Sequence, residues 1–142
     1  MSNIILIPTY NERDNIADLI SRIRDYEKTA KIMVIADNSP DGTAEVVKNL
    51  MKRDPKIMLL ERVKKEGLGA AYIDALSNLR KTGDIENVIT MDADGSHDPK
   101  YIPGMLGKMK DYDLVVGSRY VSGGGVENWE WHRRTRSRRG NI

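Results

Sequence analysis

Short aliphatic runs alternate with segments of helical period along most of this chain, and each junction is a polar or glycine-bearing turn. Asn3–Pro8 is isoleucine-rich and closed by proline, which predicts a first strand. Ile16, Leu19, Ile20 and Ile23 recur at helical spacing, so Asp14–Tyr26 reads as an amphipathic helix. Lys31–Ala36 predicts a second strand. Asp41-Gly42-Thr43 then turns the chain, with Thr43 expected to N-cap a helix carrying Val46, Val47, Leu50 and Met51. Lys56–Leu60 reads as a third strand, and Gly67-Leu68-Gly69 opens a third helix through Leu79. Asn87–Met91 is the expected fourth strand. Pro99 suits the first turn of a fourth helix that carries Ile102, Met105, Leu106 and Met109. Leu114–Gly117 reads as a fifth strand, and Gly123-Gly124-Gly125 as a flexible loop. Five strands alternating with four helices predict a parallel, doubly wound α/β sheet.

A length of 142 residues suits one domain with a real core, and 39% apolar with 31% charged residues suits a soluble globular chain. The absence of cysteine excludes disulfides, thiolate zinc sites and thiol nucleophiles. No apolar run is long enough to span a bilayer and the N-terminus lacks a signal-peptide pattern, so the expected compartment is the cytoplasm. The net charge of +2 hides an asymmetry. Residues 132–142 carry five Arg and no acid; removing those five from 23 basic residues leaves 18 against 21 acids, a mildly acidic body with a basic tail. Such a tail points to a phosphate-rich partner: nucleic acid, anionic lipid or a phosphorylated substrate.

The fourth predicted strand runs into Met91-Asp92-Ala93-Asp94-Gly95-Ser96-His97-Asp98-Pro99. Carboxylates at i and i+2 leave a strand on the same side, at the sheet edge where α/β folds bind ligands. Their mutual repulsion is relieved by a divalent cation. Oxygen-only ligands suit Mg²⁺ or Mn²⁺, which commonly link carboxylates to substrate phosphates. Taken alone, the triplet reads more readily as a polar strand exit that caps the next helix. His97 has no second histidine or cysteine beside it and reads as a loop residue.

Three further turns fall at strand ends. Pro8-Thr9-Tyr10-Asn11-Glu12 leads into a helix N-terminus, which favours anions. Asp37-Asn38-Ser39-Pro40-Asp41-Gly42-Thr43 is rich in acceptors for a nucleobase or ribose, but taken alone reads more readily as a helix entry built on side-chain-to-backbone hydrogen bonds. Lys65-Glu66-Gly67-Leu68-Gly69 allows close backbone approach, but lacks both the Gly-x-Gly-x-x-Gly dinucleotide pattern and the Lys-Ser/Thr end of a P-loop.

Together, Ile7-Pro8-Thr9-Tyr10-Asn11-Glu12, Asn38-Ser39-Pro40-Asp41-Gly42-Thr43, Gly67-Leu68-Gly69-x-Ala71-Tyr72, the Met91–Pro99 stretch, Val116-Gly117-Ser118-Arg119-Tyr120, Trp129 and Arg133-x-x-x-Ser137-Arg138 resemble the polyprenol-phosphate (dolichol-phosphate) mannose synthases. These are inverting family-2 glycosyltransferases with a Rossmann-like type-A nucleotide-diphospho-sugar transferase fold. The resemblance spans residues 3–141. It departs at Ala36-Asp37, where the family carries adjacent aspartates, and at Ala75, where glycine is usual. The family also continues past the position of Asn141 into further strands and an interface helix, so an incomplete sheet is expected.

The resemblance implies residues 1–120 as the nucleotide-sugar-binding part and 121–142 as a Gly/Arg-rich acceptor-phosphate segment of the same domain. It implies Pro8, Tyr10, Glu12, Asp37 and Asp92 for the nucleotide sugar, and Asp92, Asp94 and Ser96 for a Mg²⁺ or Mn²⁺ ion. Arg119, Arg133 and Ser137 match positions that grip the acceptor phosphate, with Asp94 and Arg119 as the catalytic pair. The implied reaction is inverting transfer of mannose from GDP-mannose to a polyprenyl phosphate, peripherally at the cytoplasmic face of a membrane. A homo-oligomer or a membrane-anchor partner is a further expectation; nucleic acid is not. The lipid phosphate is already a nucleophile and requires positioning rather than a base. Trp129 and Trp131 read either as an interfacial anchor or as packing residues. The alternative function is a non-catalytic or truncated GDP-sugar-binding module, distinguished by saturable binding without turnover. More remote is a phosphate-binding adaptor acting through the Arg tail.

Overall fold

The computed structural model describes residues 1–81 and 83–125. In order, its elements are β1 (Ser2–Thr9), α1 (Ile16–Tyr26), β2 (Lys31–Asp37), α2 (Thr43–Met51), β3 (Ile57–Arg62), α3 (Leu68–Arg80) and β4 (Ile85–Thr90), then a 3₁₀ turn (Pro99–Tyr101) and α4 (Ile102–Lys108). The strands form one sheet in the order β3-β2-β1-β4. Each neighbouring pair is parallel, with Ile5 opposite Ile32 on one side and Ile89 on the other.

The aliphatic runs make this sheet because strands covered on both faces need apolar side chains at successive positions. Ile4, Ile5, Leu6 and Ile7 of β1 are all fully buried. Ile5, Ile7, Ile32, Val34 and Ile89 face α1, α2 and α4 through Ile16, Leu19, Ile20, Ile23, Val47 and Ile102. The intervening residues Ile4, Leu6, Met33 and Ile35 pack on the opposite face against Ala71, Ala75 and Leu79 of α3. Alanine at position 75 is fully buried there.

Two expectations are corrected. Leu114–Gly117 forms no strand; Leu114 and Val116 are exposed, and β4 is an edge among the described residues. An apolar run becomes a strand only where a sheet edge receives it, and this one pairs with no strand among the described residues. Thr43 is not the N-cap of α2. Gly42 takes that position at φ 88°, and Thr43 is the first helical residue, fully buried. Asp41 performs the capping instead, accepting from the Thr43 N–H at 3.0 Å and the Thr43 hydroxyl at 2.6 Å. Gly123–Gly125 forms no helix or strand, and its loop is closed locally. The Gly124 N–H donates to the Val121 carbonyl at 2.8 Å, and a Cβ on Gly124 would lie 2.7 Å from the Arg119 carbonyl oxygen.

Asp41 also accepts from the Arg13 N–H at 3.0 Å and the Ser39 hydroxyl at 2.9 Å. Desolvation pushes its pKa up, but these hydrogen bonds outweigh it and hold the carboxyl well below the usual carboxylate range. A depressed folded pKa gives stability that is complete above the unfolded value of about 3.9 and lost as pH falls below it. Asp41→Ala is therefore expected to lower stability by about 1–2 kcal/mol at pH 7. Urea unfolding of both proteins at pH 7 and near pH 3 should show the gap narrowing on acidification.

Candidate active site

Because every strand pair is parallel, Thr9, Asp37, Arg62 and Thr90 all end at one edge of the sheet. The order β3-β2-β1-β4 sets the turns in a row: Arg62, then Asp37, then Tyr10, then Asp92 and Asp94. This is the carboxyl edge, where open α/β sheets bind ligands.

The turns after β1 and β2 are laced together. The Asn11 N–H donates to the Ser39 hydroxyl at 2.6 Å, and the Glu12 N–H to the Thr43 hydroxyl at 3.1 Å. Ser39, Asp41 and Thr43, offered by the sequence as acceptors for a base or ribose, are thus used to hold the two turns in register. Each turn pivots on an asparagine in the left-handed region, Asn11 at φ 56° and Asn38 at φ 51°, which asparagine tolerates better than most residues. Glu12 accepts from the Asn15 side chain at 2.8 Å, beside the start of α1. Pro8 lies within β1 and is half-buried.

Tyr10 is exposed, and the Lys65 ammonium sits 3.4 Å from its ring centroid. Lys65 follows β3, whereas Tyr10 follows β1, two strands away. The segment between β3 and α3 therefore reaches across the end of β2, above Asp37. Asp37 is buried, with its Oδ1 accepting from Arg62 Nη1 at 2.6 Å. Sequence reasoning missed Arg62 and the reach of Lys65. The available signal was a cation at the end of a parallel strand just before a Gly-x-Gly turn.

After β4 the period of two continues. Met91 and Ala93 are buried in the core, while Asp92 and Asp94 point the other way. The Met91 N–H still reaches the Leu6 carbonyl at 3.0 Å. His97 folds the loop back, its Nδ1 accepting from the Asp92 N–H at 3.0 Å. Asp94 Oδ1 accepts from the Ser96 N–H at 2.9 Å. Hydrogen bonds from the Ser96 hydroxyl and N–H hold the Asp94 carboxyl below its ordinary pKa. On α3, burial first and then the Asp92 charge push the Tyr72 phenol up.

Two carboxylates, hard oxygen donors, fit a divalent cation. Among the described residues no group of three His, Cys, Asp or Glu side chains is placed to hold one. A cation here would complete its shell with substrate phosphate and water, as Mg²⁺ commonly does. Arg119 stands in the turn before Gly124, where Tyr120 N–H donates to the Ser118 hydroxyl at 3.2 Å. Trp129, Trp131, Arg133 and Ser137 lie outside the described residues.

The sequence model of glycosyl transferase family 2 matches residues 4–142. The chain belongs to glycosyl transferase family 2. It is similar to an undecaprenyl-phosphate mannosyltransferase of Micrococcus luteus, 38% identical over 100% of this chain and 58% of the relative. It is also similar to a polyprenol monophosphomannose synthase of Mycolicibacterium smegmatis, 39% identical over 98% of this chain and 53% of the relative. The chain thus spans a little over half the length of these family-2 relatives. In fold it is similar to the mannosyltransferase PcManGT of Pyrobaculum calidifontis, solved with GDP-Man and Mn²⁺, with a TM-score of 0.55 and 24% identity over 65% of this chain and 27% of that one. S. aureus TarS gives a TM-score of 0.62 at 18% identity over 80% of this chain and 33% of that one. The family-2 chain described above has the parallel α/β architecture of type-A glycosyltransferases. No helix among its described residues is long and apolar enough to cross a membrane.

Proposed function

We propose that this chain transfers mannose, with inversion, from GDP-mannose to a polyprenyl phosphate. The observation that carries this reading is the row of turns at one sheet edge, with a tyrosine face, a buried carboxylate and a carboxylate pair in sequence. The names of the two curated relatives supply the sugar and the lipid phosphate class.

In this reading Tyr10 and Asp37 receive the base, with Pro8 and Glu12 shaping the same pocket. Asp92 and Asp94 would hold Mg²⁺ or Mn²⁺, with Ser96 orienting Asp94. The cation, when bound, offsets the charge gathering on the leaving GDP. Arg119 and Arg133, with Ser137, hold the acceptor phosphate, because a guanidinium fork meets phosphate oxygens two at a time. A phosphate oxygen attacks the anomeric carbon opposite the leaving group; its C–O bond forms as the bond to the GDP β-phosphate breaks. No side-chain base is needed for an oxygen already ionised. In this reading the protein works peripherally, at the cytoplasmic face of a membrane.

The test is transfer of labelled mannose from GDP-mannose to polyprenyl phosphate by the 142-residue chain, with and without Mn²⁺. Turnover supports transfer. Saturable, cation-dependent GDP binding without turnover would instead identify a GDP-sugar-binding module. The Arg119 turn offers a sharper check. Gly124→Ala drives a Cβ into the Arg119 carbonyl, so the turn must shift. Transfer is expected to fall by up to roughly 10²-fold, the cost of a misplaced positioning group. GDP affinity and melting temperature should stay near their original values, because residues 117–125 are exposed.

A further inference from the structure

Arg62 has a side chain only 5% exposed, and each nitrogen of its guanidinium reaches a different carboxylate. Nη1 donates to Asp37 at 2.6 Å, Nε to Asp74 at 2.7 Å and Nη2 to Glu66 at 3.3 Å. The three acids come from the end of β2, from α3 and from the segment between β3 and α3. Asp74 and Glu66 are about half exposed, but the Asp37 side chain is only 11% exposed. The buried carboxylate therefore depends on Arg62, while the other two orient the guanidinium from the solvent side.

A buried ion pair is a poor source of stability, since apolar residues of similar size do as well or better. Its position supplies another reason. Among the described residues only Arg62 bonds Asp37, and only through Oδ1. Oδ2 keeps its acceptor capacity, on a carboxylate whose plane is fixed at the carboxyl edge of the sheet. The hydrogen bond to Asp74 contributes most to holding the guanidinium pKa above its ordinary value, so the cation persists at every working pH.

We infer that Arg62 is a positioning residue for base recognition: held by Asp74 and Glu66, it locks the Asp37 carboxylate so that Oδ2 accepts from the N–H edge of guanine. The inference rests on the nucleotide-sugar reading above and deepens it. Guanine presents adjacent N1–H and N2–H donors. Adenine presents an acceptor at N1, which a carboxylate cannot satisfy. A carboxylate free to rotate would lose that discrimination.

Binding of GDP and of ADP in the presence of Mn²⁺ by the full chain, measured by calorimetry, tests the assignment. Arg62→Lys keeps the charge but loses the planar fork. It is expected to weaken GDP by roughly 10–100-fold, the worth of a hydrogen bond to a charged group, with ADP little changed. Asp74→Asn should shift the GDP-to-ADP ratio in the same direction, by less. Its side chain is half exposed, so it carries the test if Arg62→Lys fails to fold. A ratio that stays at the original value in the folded variants, whatever their melting temperatures, would make Arg62 purely structural and overturn the inference alone. Failure of the unaltered chain to bind GDP with Mn²⁺ would overturn the nucleotide-sugar reading, and this assignment with it.

Discussion

Asp94→Ala is expected to abolish cation-dependent binding of GDP-mannose and to cut mannose transfer by roughly 10²–10³-fold, the range lost when one fixed charge-stabilising group is removed. The carboxylate leaves the β4 end on the same side as Asp92, opposite the buried Met91 and Ala93. With no third acid gathered beside the pair among the described residues, a cation deprived of Asp94 keeps one protein carboxylate. Asp92→Ala should weaken binding less, because Asp94 has the Ser96 hydrogen bonds that hold it ionised and oriented. Calorimetric titration with and without Mn²⁺ decides. Unchanged affinity in both variants would make the triplet a helix-entry turn and nothing more.

Ile5→Ala is expected to remove about 3 kcal/mol of stability. Ile5 is fully buried in the central strand, between Ile32 and Ile89 in register, and packs into the larger of the two core clusters. No mobile neighbour is positioned to close the resulting cavity, since strands flank it on both sides. The melting temperature should drop by roughly 10 °C for a domain of this size. A shift of the urea midpoint at constant slope would assign the loss to packing rather than to a changed unfolded state.

The central part of the fold was legible because its signals are local. Isoleucines at 4, 5 and 7 and the 16-19-20-23 spacing each specify an element without knowledge of its neighbours. The side on which Asp92 and Asp94 emerge was equally legible, because the period of two outlasts the last ladder bond. Leu114-Val115-Val116 shows the limit: its pattern is that of a strand, and only the lack of a pairing partner among the described residues shows that it is not one here. Thr43 shows another. A hydroxyl before a helix reads as a cap, yet the Asp41 carboxylate two residues earlier takes that role and leaves Thr43 to tie the neighbouring turn. Pairings such as Asp37 with Arg62, 25 residues apart, have no local signature at all.

The strand order also sets how unevenly the site opens. The Tyr10 and Asp37 turns hang on β1 and β2, braced by β3, whereas the carboxylate pair hangs on β4, which among the described residues is bonded to β1 alone and buries only Ile89. Edge elements with few buried contacts open at lower free energy than central ones. Backbone amides of residues 85–90 should therefore exchange with solvent deuterium faster than those of 4–7 and 32–35. A diphosphate bridged to Asp92 and Asp94 would join both halves, so the ligand itself becomes the clasp. Its arrival should slow exchange in β4 far more than in β2.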